Sequence, residues 1–318
     1  MAEQPRTGTD GANPARATGT PRLLVENVYK RYGARTVLDN IDLSVASGEL
    51  CTVVGPSGCG KSTLLRIVVG QEGATDGKVL IDGEPVRLPD ASRGIVYQKY
   101  SLYPHLTALE NVLLGKVLEH PFYRSRSAVA AHRDEAMELL ARARIAEHAD
   151  KYPHELSGGM QQRVAIAQTL IKRPRIVLMD EPFGALDPGV REEMQVLLLQ
   201  LWETYKMTVF FVTHDLEEAV YLGTRVLVLS QYYTDDRGPA AGIVRGARIV
   251  ADHALPRCAL PTVVKSAPEF NDLVLRIRHE GFDPGYLRHV RDFNLEHPDA
   301  FQTLTPEEDG RATGRSTV

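Results

Sequence analysis

A glycine-rich loop between a strand and a helix is the feature that most constrains the fold of this chain. The residues GPSGCGKST, 55–63, follow the apolar run ELCTVVG, which predicts a buried strand. They precede STLLRIVVG, which predicts a helix ending at Gly70. Because glycines let backbone N–H groups converge and a helix N-terminus carries partial positive charge, this loop suits a phosphate group. The context predicts an α/β fold.

The spacing of Gly55, Gly60, Lys61 and Ser62 is the P-loop pattern of nucleotide-binding proteins. Lys61 adds a full positive charge for the phosphates, and the Ser62 hydroxyl can ligate Mg²⁺. The alternative is a chance glycine turn before a helix. We predict that the whole loop lines the phosphate site: Gly55, Pro56, Ser57, Gly58, Cys59, Gly60, Lys61, Ser62 and Thr63. The Cys59 side chain is expected to point away from phosphate and to be exposed to thiol reagents.

Strand and helix patterns alternate through the second half of the chain. The helix GGMQQRVAIAQTLIKR ends before Pro174, and Val190–Tyr205 carries one apolar face. The apolar strand RIVLMD lies between these two helices, and the apolar strands TVFFVT and RVLVLS follow them, separated by a short helix over 215–222. This alternation predicts a parallel sheet covered by helices on both faces.

Composition gives no support for a nucleic-acid-binding protein, a disulfide-bonded protein or a membrane-spanning chain. The 318 residues carry 37 basic and 41 acidic side chains, so nothing favours a nucleic-acid partner. Three cysteines without metal-ligand spacing fit a reducing compartment. No apolar run reaches the roughly 18–20 residues of a membrane-spanning helix. Residues 1–21 lack Leu, Ile, Val and Phe, and we expect them to be disordered and outside the fold.

Two adjacent carboxylates end the predicted strand IVLMD. Asp180 is placed to hold Mg²⁺, and Glu181 to polarise a water molecule aimed at the γ-phosphate. The alternative makes both of them solvated turn residues before Pro182.

A second possible anion site lies in LSGGMQQR, 156–163. Ser157, Gly158 and Gly159 open a helix, so their N–H groups can face an anion. Alternatively, Ser157 is only an N-cap and the glycines form a turn.

These motifs together with Gln98 and VTHD, in this order, resemble the nucleotide-binding subunit of ABC transporters over about residues 22–235. Met160 departs mildly from the family signature. The resemblance implies a P-loop NTPase (RecA-like) core with an antiparallel β subdomain. It places the ATP-binding domain at 22–255, a helical insertion at about 100–158 and a C-terminal extension at 256–318.

The resemblance also implies roles for four residues. Tyr32 would stack on adenine, although a core tyrosine is an equal alternative. Gln98 would ligate Mg²⁺ and water, with a polar strand-end residue as the alternative. His214 would contact the γ-phosphate and orient Glu181, whereas a lone histidine is more often structural. Asp187 would communicate across a dimer.

The implied partners come from the same resemblance. Two copies would form a head-to-tail dimer enclosing ATP and Mg²⁺, with LSGGM of one completing the site of the other. The segment 98–115, with Tyr100 and Tyr103, would receive a coupling helix from a transmembrane permease, although it could be a plain surface loop. The subunit would lie at the cytoplasmic face of the membrane.

The motifs look most like those of nitrate, sulfonate and taurine importers, which also use a solute-binding protein. An exporter subunit and a soluble ABC ATPase are the alternatives. The soluble class usually has two cassettes or a long coiled coil, and neither pattern is present. Beyond Tyr233, GIVRGARIVADHALP predicts an edge hairpin and EFNDLVLRIRHEG a packing helix. The tail from about Thr305 is expected to be disordered.

Overall fold

Two sheets form the framework of the protein. The structure is a computed structural model that describes residues 20–99, 101–119, 132–237, 245–255, 265, 267–306 and 308. The strands, in chain order, are β1 (Leu23–Tyr32), β2 (Arg35–Val45), β3 (Leu50–Val54), β4 (Asp76–Ile81), β5 (Glu84–Pro85), β6 (Arg93–Tyr97), β7 (Ile176–Asp180), β8 (Thr208–Val212), β9 (Arg225–Ser230), β10 (Tyr233–Thr234), β11 (Arg248–Ala254), β12 (Arg288–His289) and β13 (Asn294–Leu295).

The larger sheet has the order β13-β11-β9-β3-β8-β7-β6. Its five strands β9, β3, β8, β7 and β6 run parallel. Every residue of β3, β8 and β9 is buried, as expected where helices cover both faces. The predicted parallel sheet is therefore confirmed, and its strands end together at one edge.

The smaller sheet is the antiparallel subdomain, with the order β2-β1-β4-β5. Its apolar side shares one cluster with the first helix, including Leu38, Ile41, Leu64 and Val68. This shared core places Val37 and Leu38 of β2 against Gly60 of the loop at residues 55–63.

The helices are α1 (Lys61–Val69), α2 (Ala108–Glu119), α3 (Arg133–Arg142), α4 (Gly158–Leu170), α5 (Pro188–Tyr205), α6 (Leu216–Leu222) and α7 (Pro268–Phe282). Helices α2 and α3 lie within the range predicted for the helical insertion, and both pack on α4. The predicted apolar face of α5 is buried except at Tyr205, which is 41% exposed. This side chain lies in the last turn, where the Arg142 guanidinium covers its ring.

The C-terminal extension closes the open side of the larger sheet. Helix α7 packs on β9, β11 and α6 and buries Phe270, Val274 and Ile277. Within the described part of the segment predicted as an edge hairpin, residues 248–254 form strand β11, which is antiparallel to β9 and is covered by the parallel strand β13. The extension therefore satisfies a strand edge that would otherwise lie open.

The expectation that the tail is disordered from about Thr305 is wrong at its start. Glu308 is fully buried and accepts a hydrogen bond of 2.6 Å from Arg248. The backbone of Thr303 is held between Asp42 and Asn40 of β2. A buried carboxylate with a guanidinium partner anchors this segment, a contact that composition could not reveal.

Within the described residues, no helix is both long and apolar enough to cross a bilayer. The interpretations of residues 1–19 and Tyr100 lie outside the described residues.

Candidate active site

The loop at residues 55–63 joins the end of β3 to the start of α1. Gly60 is the N-cap residue of α1 with φ +107°, a left-handed conformation that favours glycine. A Cβ atom at Gly55 would lie 2.1 Å from the carbonyl oxygen of Leu229, so only glycine fits against β9. The loop can therefore turn tightly, with the Cys59 N–H bonded to the Pro56 carbonyl at 3.2 Å, and it leads into the N-terminus of α1, where N–H groups suit an anion.

The Lys61 side chain folds back over this loop. Its Nζ donates hydrogen bonds to the carbonyl oxygens of Gly55 at 2.7 Å and Pro56 at 3.1 Å. Lys61 is 6% exposed, so its ammonium group sits inside the cradle. Ser57 and Gly58 are exposed at the mouth of the loop, while Thr63 is buried beneath it.

The expected exposure of Cys59 is wrong. Cys59 points away from the mouth of the loop, as expected, but it is only 2% exposed, with its Sγ packed toward Gly55. Burial raises the pKa of the Cys59 thiol, and the nearby Lys61 charge opposes this only in part. A buried thiol with a raised pKa is a poor nucleophile.

Ser62 and Asp180 meet across the site. The Ser62 hydroxyl donates to Asp180 Oδ1 at 3.1 Å. Burial raises the pKa of Asp180, and the Ser62 hydrogen bond opposes the rise. A hydroxyl and a carboxylate at the edge of the sheet are the oxygen ligands that Mg²⁺ prefers, so these two residues fit the ion.

Glu181 directly follows Asp180 and contacts a different residue, His214. Its N–H donates to the Val212 carbonyl at 2.8 Å, and φ is +46°. Its Oε2 lies 3.0 Å from Nδ1 of His214, which follows β8. The two adjacent carboxylates thus have different partners. Asp180 accepts from the Ser62 hydroxyl, and Glu181 contacts the His214 imidazole. His214 remains half exposed and can meet a ligand.

Gln98 follows β6, whose last residue pairs with Asp180. The Gln98 amide is exposed and lies near Gly184. Among the described residues, no hydrogen bond joins it to Ser62 or Asp180.

The core alternative for Tyr32 is wrong, because its side chain is 46% exposed at the end of β1. The hydroxyl donates to the Glu72 carboxylate, and Lys30 Nζ lies 4.9 Å from the ring centroid. The hydrogen bond from Tyr32 is the main cause of a lowered pKa at Glu72. An exposed ring anchored at its hydroxyl is suited to stacking on a flat ligand.

The second motif caps α4. The Ser157 hydroxyl accepts from the Met160 N–H at 3.4 Å, and Ser157 is exposed. A Cβ atom at Gly159 would lie 2.4 Å from Val190 of α5, so this turn is packed tightly. In the part of the chain that the structure describes, no hydrogen bond connects Ser157, Gly158 or Gly159 to the 55–63 loop. Asp187 caps α5 by accepting from the Val190 N–H at 3.1 Å.

Sequence reasoning missed a buried polar group behind His214. Glu218 of α6 is 3% exposed and accepts from Thr213, and burial raises its pKa despite that hydrogen bond. The spacing of Asp215 and Glu218 is that of a capping box, which is the one sequence signal available.

Comparison with known proteins places these features in one family. A profile described as ABC transporter matches residues 38–184. The chain is 42% identical over 236 residues to the bicarbonate transport ATP-binding protein of Synechocystis sp., covering 73% of this chain and 80% of that protein. It is 45% identical over 207 residues to the aliphatic sulfonates import ATP-binding protein of Bacillus subtilis, covering 65% and 78%.

A solved structure gives the same result. It is a dimeric, post-hydrolysis state of an ATP-binding cassette bound to ADP and Pi, with 31% identity and a TM-score of 0.59. The match covers 74% of this chain and all of that one. This chain therefore belongs to the ABC transporter family and is an ATPase of its ATP-binding cassette group.

Proposed function

We propose that this chain is the subunit that hydrolyses ATP to drive import of a small oxyanion through separate permease subunits. One observation carries the catalytic part. The contacts Ser62–Asp180 and Glu181–His214 lie side by side where β7 ends, next to a loop built for phosphate. A metal-binding pair and a base with an orienting imidazole are the parts that phosphoryl transfer to water requires.

The site residues divide the reaction between them. ATP phosphates accept hydrogen bonds from the 57–63 backbone, and Lys61 exchanges its two carbonyl partners for phosphate oxygens. Ser62 and Asp180, together with Gln98, would hold Mg²⁺, which would supply positive charge beside the phosphates. Glu181 accepts a proton as the water oxygen bonds to the γ-phosphorus and the bond to the β,γ-bridging oxygen breaks. His214 orients Glu181 and contacts the γ-phosphate, while Tyr32 stacks on adenine.

A second copy of the chain would complete the site. Exposed Ser157 with Gly158 and Gly159 would face the γ-phosphate held by the partner, in a head-to-tail dimer. The exposure of Ser157, the lack of a hydrogen bond from this turn to the described 55–63 loop and the dimeric cassette among the matched structures all support this arrangement. Asp187 caps α5 at Val190, the residue that packs on Gly159, and would link the two ATP sites of the dimer.

The cargo and remaining partners follow from the relatives. The bicarbonate and sulfonate proteins are named for anions with planar or tetrahedral oxygen groups. We infer a nitrate-, sulfonate- or taurine-like anion delivered by a solute-binding protein, with the subunit at the cytoplasmic face of the membrane. Exposed Tyr103 would contact the permease.

The test is the Glu181→Gln substitution. Removing the base should abolish ATP hydrolysis, preserve ATP binding and accumulate a dimer in ATP, as measured by phosphate release and light scattering. Glu203→Gln, on the exposed side of α5, is the matched control and should hydrolyse normally. Lys61→Ala should instead lose nucleotide affinity. Normal hydrolysis by Glu181→Gln would refute the assigned base.

Purification of the native complex tests the transport assignment. Recovery of a polytopic permease with a solute-binding protein supports import. A permease whose transport runs outward, or recovery with ribosomes or DNA alone, contradicts it.

A further inference from the structure

A buried polar network lies directly behind the His214 loop. Its centre is the carboxylate of Glu218, which is 3% exposed on α6. Among the described residues this carboxylate accepts hydrogen bonds from the neutral side chains of Thr213 and Gln195, while the nearby Arg191 is paired with Asp215 instead. Burying a charged group without a cation is costly, whereas an apolar side chain would pack there freely. We therefore look for a role of the Glu218 carboxylate other than packing.

The network fixes the residues on both sides of His214. Glu218 Oε2 accepts from the Thr213 hydroxyl at 2.6 Å, and the Glu218 N–H donates to Asp215 Oδ1 at 3.1 Å. The Asp215 N–H donates to Thr213 Oγ1 at 3.1 Å. The Thr213 N–H is itself bonded to the Val53 carbonyl on β3. Between these held residues, the His214 side chain turns toward Glu181, with Nδ1 at 3.0 Å from Oε2.

A second arm extends from the network to the C-terminal segment. Gln195 of α5 donates from Nε2 to Glu218 Oε1 at 3.1 Å. Its Oε1 accepts from Lys265 Nζ at 2.9 Å, which settles the orientation of the amide. Lys265 Nζ also lies 4.0 Å from Glu192 and 4.6 Å from the Tyr221 ring. Lys265 therefore joins the extension to the network.

We propose that Thr213 and Glu218 are positioning residues that hold His214 against Glu181, and that Gln195 and Lys265 tie this hold to the C-terminal segment. The proposal rests on the proposed function, because His214 matters only if the site hydrolyses ATP. Loss of the Thr213–Glu218 contact would let the His214 imidazole move by about an ångström. A displacement of that size steeply lowers the rate of ATP hydrolysis.

Strand β8 offers a matched pair for the test. Thr208 is its first residue and Thr213 directly follows its last residue, and each is 2% exposed. The Thr208 hydroxyl accepts from the Gly48 N–H at 3.0 Å, far from His214 in the sheet. Thr213→Val and Thr208→Val each remove one buried hydroxyl. We expect Thr213→Val to lower kcat about 10- to 100-fold, with KM for ATP changed less than about twofold. Thr208→Val should keep kcat within about twofold of the wild type.

Three further measurements make the result decisive. Thr213→Ser keeps the hydroxyl and should restore most of kcat. The ¹⁵N signal of His214 Nδ1 should move in Thr213→Val and not in Thr208→Val. Lys265→Met should shift the same signal and lower kcat to a smaller extent.

The outcomes separate this proposal from the proposed function. If the wild type does not hydrolyse ATP, the proposed function fails. If it does, and Thr213→Val matches Thr208→Val in kcat and in the His214 signal, the positioning role is overturned. An unchanged kcat and His214 signal in Lys265→Met would overturn the link to the C-terminal segment.

Discussion

Gly55→Ala tests how rigidly the sheet holds the phosphate loop. The added Cβ atom would lie 2.1 Å from the Leu229 carbonyl oxygen and 2.9 Å from Cys59 Sγ. The first contact is with backbone of the central sheet, which cannot rotate away. The loop and β9 must therefore separate by about 1 Å to restore ordinary contact.

The structure sets the size of the effect. Overpacking of this kind costs about 1–3 kcal/mol, which corresponds to a fall in Tm of about 2–12 °C for a domain of this size. A displacement of the cradle by about 1 Å should also lower ATP turnover about 100-fold. Both losses come from the same contact, so they should appear together.

The assay pairs thermal unfolding with ATP turnover and fluorescent nucleotide binding. Gly83→Ala is the control, because Gly83 has φ +81° in the β4–β5 turn with no atom near its added Cβ. Left-handed strain costs that variant about 1–2 kcal/mol, and its turnover should stay near that of the wild type. A Gly55→Ala protein with unchanged Tm and unchanged nucleotide affinity would refute the packing argument.

Two other predictions concern titrating groups. Burial lowers the pKa of His253, but its contact with Glu280, then that with Glu296, outweighs burial and leaves the pKa raised. The stabilisation is therefore complete below about pH 6.5 and is lost as pH rises through the raised pKa, by at most about 1.4 kcal/mol per pH unit. The free energy of unfolding, measured with urea at pH 6 and 8.5, should show this loss in the wild type and not in His253→Gln. An equal change between the two pH values in both proteins would contradict the prediction. Because Cys59 is buried, iodoacetamide should label it only after unfolding, and peptide mapping that finds native Cys59 labelled would show the thiol to be accessible.

The C-terminal extension is where sequence and structure diverge most. Its helix could be predicted because Phe270, Val274 and Ile277 repeat at helical spacing. The burial of Glu308 beside Arg248 could not, since both are charged and lie 60 residues apart. The same holds for the contact of Lys265 with Gln195.

Much of the candidate site could be predicted because its chemistry is local. The loop at 55–63, the carboxylates that end β7 and the cap at Ser157 each depend on residues adjacent in the chain, so periodicity, glycine spacing and strand ends reveal them. The parallel sheet followed from the alternation of apolar strands with helices.

Only the tertiary structure decided which groups meet. Parallel strands bring His214 to Glu181 and Ser62 to Asp180, although 33 and 118 residues respectively separate them in the chain. It also decided that Cys59 faces inward and that Glu218 lies beneath Thr213. The sequence determined the elements and their chemistry, because short-range patterns select helix, strand and turn. Pairing across the sheet determined the site, because contacts between distant residues depend on packing that no local pattern encodes.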